Sequence, residues 1–185
     1  MIEPKYPPEL SRVIKDSALS MVSSLGLTGL SHSILDGFDA TNAADRLNRL
    51  SAESAMVAFL GVTIGGSLSI IAGQRFLEQT FPAGAPRVEM GGDWLKELSN
   101  RFAGALKGHL TQYKISVRMS LPVTLATKDL LPAISSMGPV EFHAFADGED
   151  LFVILFSGRL RYDFDLSGSE DKESIVGGPG HTVVF

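Results

Sequence analysis

The 185-residue chain contains no cysteine, only one tryptophan and no excess of basic residues. Without cysteine it can form neither disulfides nor thiolate metal sites; this fits a reducing compartment, and we expect a cytoplasmic protein. Its net charge is -5, from 16 basic and 21 acidic residues, and no basic stripe is present to follow a phosphate backbone. The composition therefore argues against a secreted disulfide-stabilised domain and against nucleic acid as the main partner.

The sequence predicts neither a secretory signal nor a membrane-spanning segment. The first ten residues, MIEPKYPPEL, have no basic region followed by an apolar core, so they do not read as a secretory signal. Residues 54–74 carry no charge and are long enough to cross a bilayer. They divide, however, into two β-prone runs separated by a turn signal, TIGG, at residues 63–66. We therefore expect two strands over residues 55–72 and no contact with a membrane.

Apolar spacing predicts two long helices and one short one. Residues 8–25 and 93–110 carry apolar side chains at i, i+3 and i+4 positions, and residues 74–81 form a shorter segment ended by Pro82. Alternation of apolar and polar residues predicts further strands, which we place at residues 114–125 (ending near Pro122), 140–146, 151–156 and 159–165. Asp147-Gly148, between the strands predicted at residues 140–146 and 151–156, is a sequence typical of a hairpin turn.

The other segments give weaker signals. Residues 27–53 read as mixed, with a turn at 39–42 and a short helix or loop at 43–50, and residues 128–137 read as a connection. The pattern as a whole predicts an α+β fold in which an antiparallel sheet is covered by two long helices. We expect one domain over residues 1–166, followed by a flexible tail over residues 167–185 that is rich in serine, glycine and charge.

The helix predicted at residues 93–110 carries the most informative face of the chain. Its apolar side gathers Leu95, Leu98, Phe102, Leu106 and His109, and its polar side gathers Glu97, Asn100, Arg101, Gly104 and Gly108. A glycine inside a helix costs about 1 kcal/mol relative to alanine, so two glycines in line indicate a track that another surface approaches closely. Asp93 is the predicted N-cap of this helix. Trp94 and His109 are interpreted as core or rim residues.

Glu97 and Asn100 form the candidate site on this face. They are three residues apart, so they project from neighbouring points of the helix surface. A carboxylate can hold a cation such as a lysine ammonium group, and a carboxamide, with both a donor and an acceptor, can orient a water molecule. An isolated pair of this kind is more often a solvated helix face without a function, and the in-line glycines are what favour a functional interpretation here.

The motif resembles that of a known family. Residues 97–104, ELSNRFAG, have the E-x-x-N-x-x-x-G form of the CheC/CheX/FliY chemotaxis phosphatases. AMVAFLGVTIGGSLSIIAG resembles the strand–glycine–strand unit that precedes the motif helix in CheX-like domains, and KISVRMSLPVTL resembles the strand that follows it. The resemblance covers about residues 9–160. Because the first helix lacks a second E-x-x-N pair, the chain is similar to the single-motif CheX type.

The resemblance implies a CheX-like fold and a phosphatase that hydrolyses the aspartyl phosphate of a CheY-type response regulator. Glu97 would pair with the receiver's lysine, and Asn100 would orient the attacking water. Gly104, with Arg101 and Gly108, would meet the partner. Mg²⁺ would belong to the regulator, so the resemblance implies no metal site and no cofactor in this chain.

Two other functions stay open from the sequence. Ala105 stands where the family often has asparagine. This leaves open the alternative that the protein is a non-catalytic CheX-like module, which only binds a partner in two-component or flagellar signalling. An unrelated small-molecule-binding domain would instead require Glu97 and Asn100 to be buried around a pocket. CheX-like domains can also pair through their sheets, so a homodimer is possible, with residues 140–156 as the segment to inspect.

Overall fold

The computed structural model describes residues 6–34, 53–83, 91–135, 138–147 and 149–166. Four helices lie within these ranges: α1 (Pro8–Ser24), α2 (Gln74–Thr80), α3 (Gly92–Gln112) and α4 (Thr127–Ser135). The described strands are β1 (Ser31–Ile34), β2 (Glu53–Gly61), β3 (Ile64–Ala72), β4 (Val117–Met119), β5 (Val123–Ala126), β6 (Val140–Asp147) and β7 (Glu149–Leu160).

The strands form one antiparallel sheet in the order β1-β6-β7-β3-β2-β4, and β5 also pairs with β2. β2 therefore has two partners on one side: β4 along its last residues and β5 along its first. The centre of the sheet is the nine-residue ladder between β3 and β7, which pairs Ile64 with Leu160 and Ala72 with Phe152. The predicted α+β class, an antiparallel sheet with two long helices, is confirmed.

Both faces of the sheet are buried, by different helices. Because side chains alternate across a strand, Phe152, Ile154 and Phe156 face the main core, which also contains the apolar residues of α1 and α3. Val153 and Leu155 face the other way, where they form a smaller cluster with Leu130 and Ile134 of α4. The two long helices thus share one face, and α4 covers part of the opposite face.

The glycines of β3 belong to its ladder with β7. A Cβ atom on Gly66 would fall on the carbonyl oxygen of Ser157 and on the Cα atom of Gly158, so the two backbones approach closely at this point. The predicted turn over residues 63–66 is therefore wrong in position. The chain turns at Val62 and Thr63, and Gly65 and Gly66 are already part of β3. Among the described residues, no helix is both long and apolar enough to cross a bilayer.

The single strand predicted over residues 114–125 is wrong, because the structure divides it into β4 and β5. Ser120 ends β4 by bonding to Ala58 twice: its N–H donates to the Ala58 carbonyl at 2.8 Å, and its hydroxyl accepts the Ala58 N–H at 3.0 Å. Pro122 has no N–H to continue the ladder. Leu121, which lies between the two strands, is 85% exposed.

Other boundaries also differ from the prediction. The connection expected at residues 128–137 is largely the helix α4, which contains Pro132. The strands expected at residues 151–156 and 159–165 are one strand, β7, which ends at Leu160. The edge strand β1 was not predicted. The turn at 39–42, the segment 43–50, Gly148 and the tail 167–185 lie outside the described residues.

The segment proposed for inspection as a dimer interface lies inside the sheet. β6 is paired with β1 on one side and with β7 on the other, and β7 is paired with β6 and β3. The described edges of the sheet are β1 at one end and β4 with β5 at the other. An edge-to-edge homodimer would have to use one of these edges, and the homodimer itself stays a prediction.

Candidate functional site

The candidate site is built on α3, which is amphipathic as predicted. Its buried residues are Trp94, Leu95, Leu98, Ser99, Phe102, Ala103, Leu106 and Leu110. The opposite side carries the predicted polar face, with Asn100, Arg101, Gly104 and Gly108 exposed and Glu97 partly exposed. The N-cap prediction was wrong: Gly91 occupies that position, and Asp93 lies in the first turn, where its carboxylate accepts from the Lys96 ammonium at 2.8 Å.

Glu97 is held by a neighbour one turn further along the helix. Its Oε1 atom accepts a hydrogen bond from Nε of Arg101 at 2.8 Å, and the two side chains are 45% and 41% exposed, respectively. The guanidinium carbon of Arg101 lies 5.5 Å from the centroid of the Trp94 ring, which is cation–π geometry. The structure thus brings Glu97, Asn100 and Arg101 to one surface, with the carboxylate already partnered.

Trp94, which contacts Arg101, is itself fixed by residues of α2 and of the segment that follows it. Its Nε1–H donates to the hydroxyl oxygen of Thr80 at 3.0 Å, and its ring meets Phe81 edge-on at a centroid distance of 5.7 Å. Because Thr80 ends α2 and Trp94 begins α3, this contact fixes the two helices to each other beside the site. Trp94 is buried at the rim of the core, as expected, and presents one face of its ring to Arg101.

Gly104 and Gly108 leave the surface of α3 bare. A Cβ atom built on either glycine would meet no atom within 4 Å other than its own helix backbone and chain neighbours. The described fold therefore does not require glycine at either position, in contrast to Gly66, where β7 leaves no room. Since each glycine still costs the helix about 1 kcal/mol relative to alanine, the pair fits a surface that another molecule approaches closely.

Contacts on the inner side keep α3 in place. Oγ of Ser17 on α1 lies 2.8 Å from Nδ1 of His109, and the Ser99 hydroxyl donates to the Ala55 carbonyl of β2 at 3.4 Å. His109 is therefore a rim residue held against α1, as predicted. These contacts give the exposed face of α3 a rigid support, which is what positioning chemistry requires.

The geometry argues against one of the three functions left open by the sequence. A small-molecule site would require Glu97 and Asn100 to be buried around a pocket, whereas both reach the exposed face of a helix. Within the described ranges, no group of three or more acidic or histidine residues is arranged to hold a metal ion. The expected absence of a metal or cofactor in this chain stays a prediction.

A buried polar chain on the other side of α1 was missed by the sequence analysis. Ser11 donates to Oε1 of Glu141 at 2.7 Å, His143 Nε2 lies 2.7 Å from the same oxygen, and His143 Nδ1 lies 3.0 Å from Nε2 of His32. The available signal was two polar residues, Glu141 and His143, at alternate positions among the apolar residues of β6. This series of hydrogen bonds joins α1 to β6 and β1, and it does not reach Glu97.

Comparison with known proteins relates this architecture to chemotaxis proteins. No protein-family model and no curated protein matches the chain. A CheC-like superfamily protein from Shewanella sp. PV-4 has a TM-score of 0.62 at 17% identity, over 83% of this chain and 99% of its own. CheX from Vibrio vulnificus has a TM-score of 0.58 at 15% identity, over 82% and 99% of the two chains.

A third similar structure is a complex. A chain of the CheX–CheY–BeF3–Mg²⁺ complex from Borrelia burgdorferi has a TM-score of 0.57 at 14% identity, over 81% of this chain and 97% of its own. Each of these three proteins is matched over nearly its whole length, so the similarity extends to the complete domain and not to one motif. The resemblance seen in residues 97–104 is thereby confirmed at the level of the fold: the chain has the fold of the CheC-like and CheX chemotaxis proteins.

Proposed function

We propose that this protein hydrolyses the aspartyl phosphate of a CheY-type response regulator, with the exposed face of α3 as its docking surface. The observation that carries the proposal is the placement of Glu97 and Asn100 on that face, beside two glycines that leave the helix surface open. A carboxylate, a carboxamide and a bare helix surface together fit a protein that inserts side chains into another protein's active site.

The chemistry needs positioning more than covalent participation. In hydrolysis of an acyl phosphate, water attacks the phosphorus atom in line with the bond to the aspartate oxygen, and that bond breaks to release phosphate. Asn100 can hold such a water, since its carboxamide both donates and accepts hydrogen bonds. Glu97 would draw the receiver's lysine ammonium away from the phosphoryl group. Mg²⁺ bound to the receiver would neutralise charge on the phosphoryl oxygens.

A receiver of the CheY type is the proposed partner. The complex from Borrelia burgdorferi joins a CheX protein to CheY, and a chain of that complex has the fold found here. At Gly104 and Gly108 the helix carries no side chain that would hold a partner away from its surface. This supports a face-to-face contact between α3 and the mouth of the receiver's phosphorylation site.

A non-catalytic binding module is the second candidate function. The observation that favours it is Ala105, which follows Gly104 at a position where the family often has asparagine. A protein of this kind would use the same face of α3 to hold a receiver without accelerating the loss of its phosphate. Binding and hydrolysis must therefore be measured separately.

The deciding experiment follows phosphate loss from each phosphorylated receiver domain of the same organism, with and without this protein. We expect acceleration by the wild type and a loss of about 10²-fold in Glu97→Gln and Asn100→Ala, because a misplaced water or lysine removes most of the positioning. Glu78→Gln, which removes an exposed carboxylate on α2 paired with Gln74, is the matched control and should keep full activity.

The outcomes separate the two candidate functions. Acceleration that both site variants lose and the control keeps would support the phosphatase. Binding of a beryllofluoride-activated receiver, with no acceleration of phosphate loss from any receiver, would overturn the phosphatase and establish the binding module. If no receiver binds and none is dephosphorylated, both proposals fail.

A further inference from the structure

We propose that Arg101 is a positioning residue for Glu97: it holds the carboxylate by one oxygen, turned away from Asn100, and leaves the other oxygen for the receiver's lysine. This inference rests on the proposed function and concerns how the two site residues are kept ready. It is carried by three contacts on the exposed side of α3, which join Glu97 to Arg101, Arg101 to Trp94, and Trp94 to Thr80.

Only one oxygen of the Glu97 carboxylate is hydrogen-bonded. Arg101 Nε contacts Oε1 of Glu97 at 2.8 Å, and the described residues provide no other hydrogen bond to this carboxylate. Oε2 is therefore open to a second cation. A carboxylate can accept from two donors at once, one on each oxygen. The lysine of a docked receiver can thus approach Glu97 without first displacing Arg101.

Arg101 and Asn100 lie on opposite sides of Glu97 around the helix. At about 100° per residue, Arg101 lies about 40° to one side of Glu97 around the helix, and Asn100 lies about 60° to the other side. The ion pair therefore pulls the carboxylate away from Asn100. Without Arg101, the Asn100 amide could donate to Glu97, since residues three apart on a helix are neighbours. Such a bond would occupy both groups and leave neither for the receiver.

Arg101 is itself held in place by Trp94. Its guanidinium lies over the ring of Trp94, which is in turn fixed by the Thr80 hydroxyl and by Phe81. A planar guanidinium can stack on an indole and donate from its edge at the same time, whereas an ammonium group provides only a point charge. The contact with the ring therefore restricts the direction of the Nε–H bond, and lysine at this position would not reproduce it.

Stability does not account for the arrangement. Both side chains of the pair are more than two-fifths exposed, and exposed ion pairs contribute little to folding. The same helix offers an internal comparison in the pair Asp93–Lys96, also 2.8 Å long, with Lys96 39% exposed. Asp93 lies one turn before Glu97 and Lys96 directly precedes it, but neither forms a hydrogen bond or ion pair with Glu97 or Asn100 in the described structure, so this pair serves as the matched control.

The test measures kcat and KM for dephosphorylation of the receiver by Arg101→Met, Arg101→Lys and Lys96→Met, each with and without Glu97→Gln. We expect Arg101→Met to lower kcat about tenfold with a smaller change in KM, because the carboxylate is misplaced while Gly104 and Gly108 and the rest of the docking surface are kept. Arg101→Lys should fall between Arg101→Met and the wild type, and Lys96→Met should match the wild type. In the Glu97→Gln background, Arg101→Met should have no further effect.

Three results would overturn the inference, and they are distinguishable. If the wild type accelerates hydrolysis and Arg101→Met is equally active, Arg101 does not position Glu97. If Arg101→Met lowers kcat equally in the presence and absence of Glu97, it acts by another route. If the wild type accelerates hydrolysis of no receiver, the proposed function fails and the inference fails with it. Thermal unfolding of Arg101→Met, expected to be close to that of the wild type, shows that any loss is not a loss of fold.

Discussion

Nε2 of His32 lies 3.0 Å from Nδ1 of His143, and the two rings stack with centroids 5.3 Å apart. His143 is fully buried and uses its other nitrogen on Glu141, at 2.7 Å. One arrangement of protons satisfies every contact when both rings are neutral: His32 Nε2–H donates to His143, and His143 Nε2–H donates to the carboxylate. The edge strand β1 is thus tied to β6 through a histidine pair.

The first prediction is that stability falls on mild acidification. Burial, helped by the neighbouring His143 and Lys15 and opposed by Glu141, lowers the pKa of His32 from 6.5 to about 4. The unfolded chain therefore binds more protons than the folded one between these values, and the free energy of unfolding decreases as pH falls from about 6.5 to about 4. Urea unfolding midpoints at pH 7 and pH 5 check this.

His32→Gln provides the control for that prediction. Glutamine keeps an amide donor at the position but cannot be protonated in this range, so its unfolding midpoint should change less between pH 7 and pH 5 than that of the wild type. If wild type and variant lose stability in parallel, His32 is not the group responsible.

The second prediction concerns alkaline pH and Tyr6. The buried hydroxyl accepts the Gly158 N–H at 2.8 Å and also contacts the Gly158 and Pro139 carbonyls, and burial, partly offset by the Gly158 bond, raises its pKa from 10.0 to about 12. The unfolded chain loses this proton first, so stability should fall as pH rises above about 10. Denaturation at pH 8 and pH 11 measures the change.

Tyr6→Phe should remove that alkaline loss. At pH 8 the same variant should be less stable by about 1–3 kcal/mol, because the buried Gly158 N–H and carbonyl lose their partner. Tyr162→Phe is the matched control, since Tyr162 is 95% exposed and its loss should leave both values unchanged. A wild-type protein equally stable at pH 8 and pH 11 would contradict the prediction.

The third prediction separates folding from binding at the glycines of α3. Gly104→Ala and Gly108→Ala should each stabilise the protein by about 0.5–1 kcal/mol, because the new methyl group enters open space and alanine is the better helix former. Both should weaken binding of an activated receiver, measured by titration, if the partner approaches this surface closely. Stabilisation with undiminished binding would place the docking surface elsewhere.

The fourth prediction is that alanine has the opposite effect at Gly66. A Cβ atom there collides with the backbone of β7 at Ser157 and Gly158, and backbone cannot move aside as a flexible side chain can. We expect Gly66→Ala to destabilise the protein by about 1–3 kcal/mol or more, measured by chemical denaturation. A value near zero would mean that the β3–β7 ladder tolerates separation at this point.

The site helix was the element best predicted from the sequence, for a local reason. Its apolar and polar residues repeat with the helical period over 21 residues, so the face that carries Glu97 and Asn100 follows from spacing alone. The direction of the Glu97 side chain does not. It depends on Arg101 and, through the ring of Trp94, on Thr80 of another helix, and contacts between elements are not visible in a periodic pattern.

The missed elements depend on tertiary contacts in the same way. β1 has only four residues, SHSI, with no apolar alternation, and it is a strand because it pairs with β6. α4 contains Pro132, which weakens any local helix signal, yet Leu130 and Ile134 bury their side chains against the sheet. In both cases the partner, and not the segment's own propensity, decides the structure.

The position of β7 in the sheet has a consequence for the synthesis of the chain. β3 leaves the ribosome about eighty residues before its main partner, and α3 is made in the interval, so the central ladder cannot close until residues 152–160 have emerged. A nascent chain that stops earlier has the long strand β3 with one edge unpaired, a known route to aggregation. Because β7 lies between β6 and β3, truncation before β7 would divide the sheet and not merely shorten it. β1 and β6 would then have no hydrogen-bonded strand that joins them to β3 and β2.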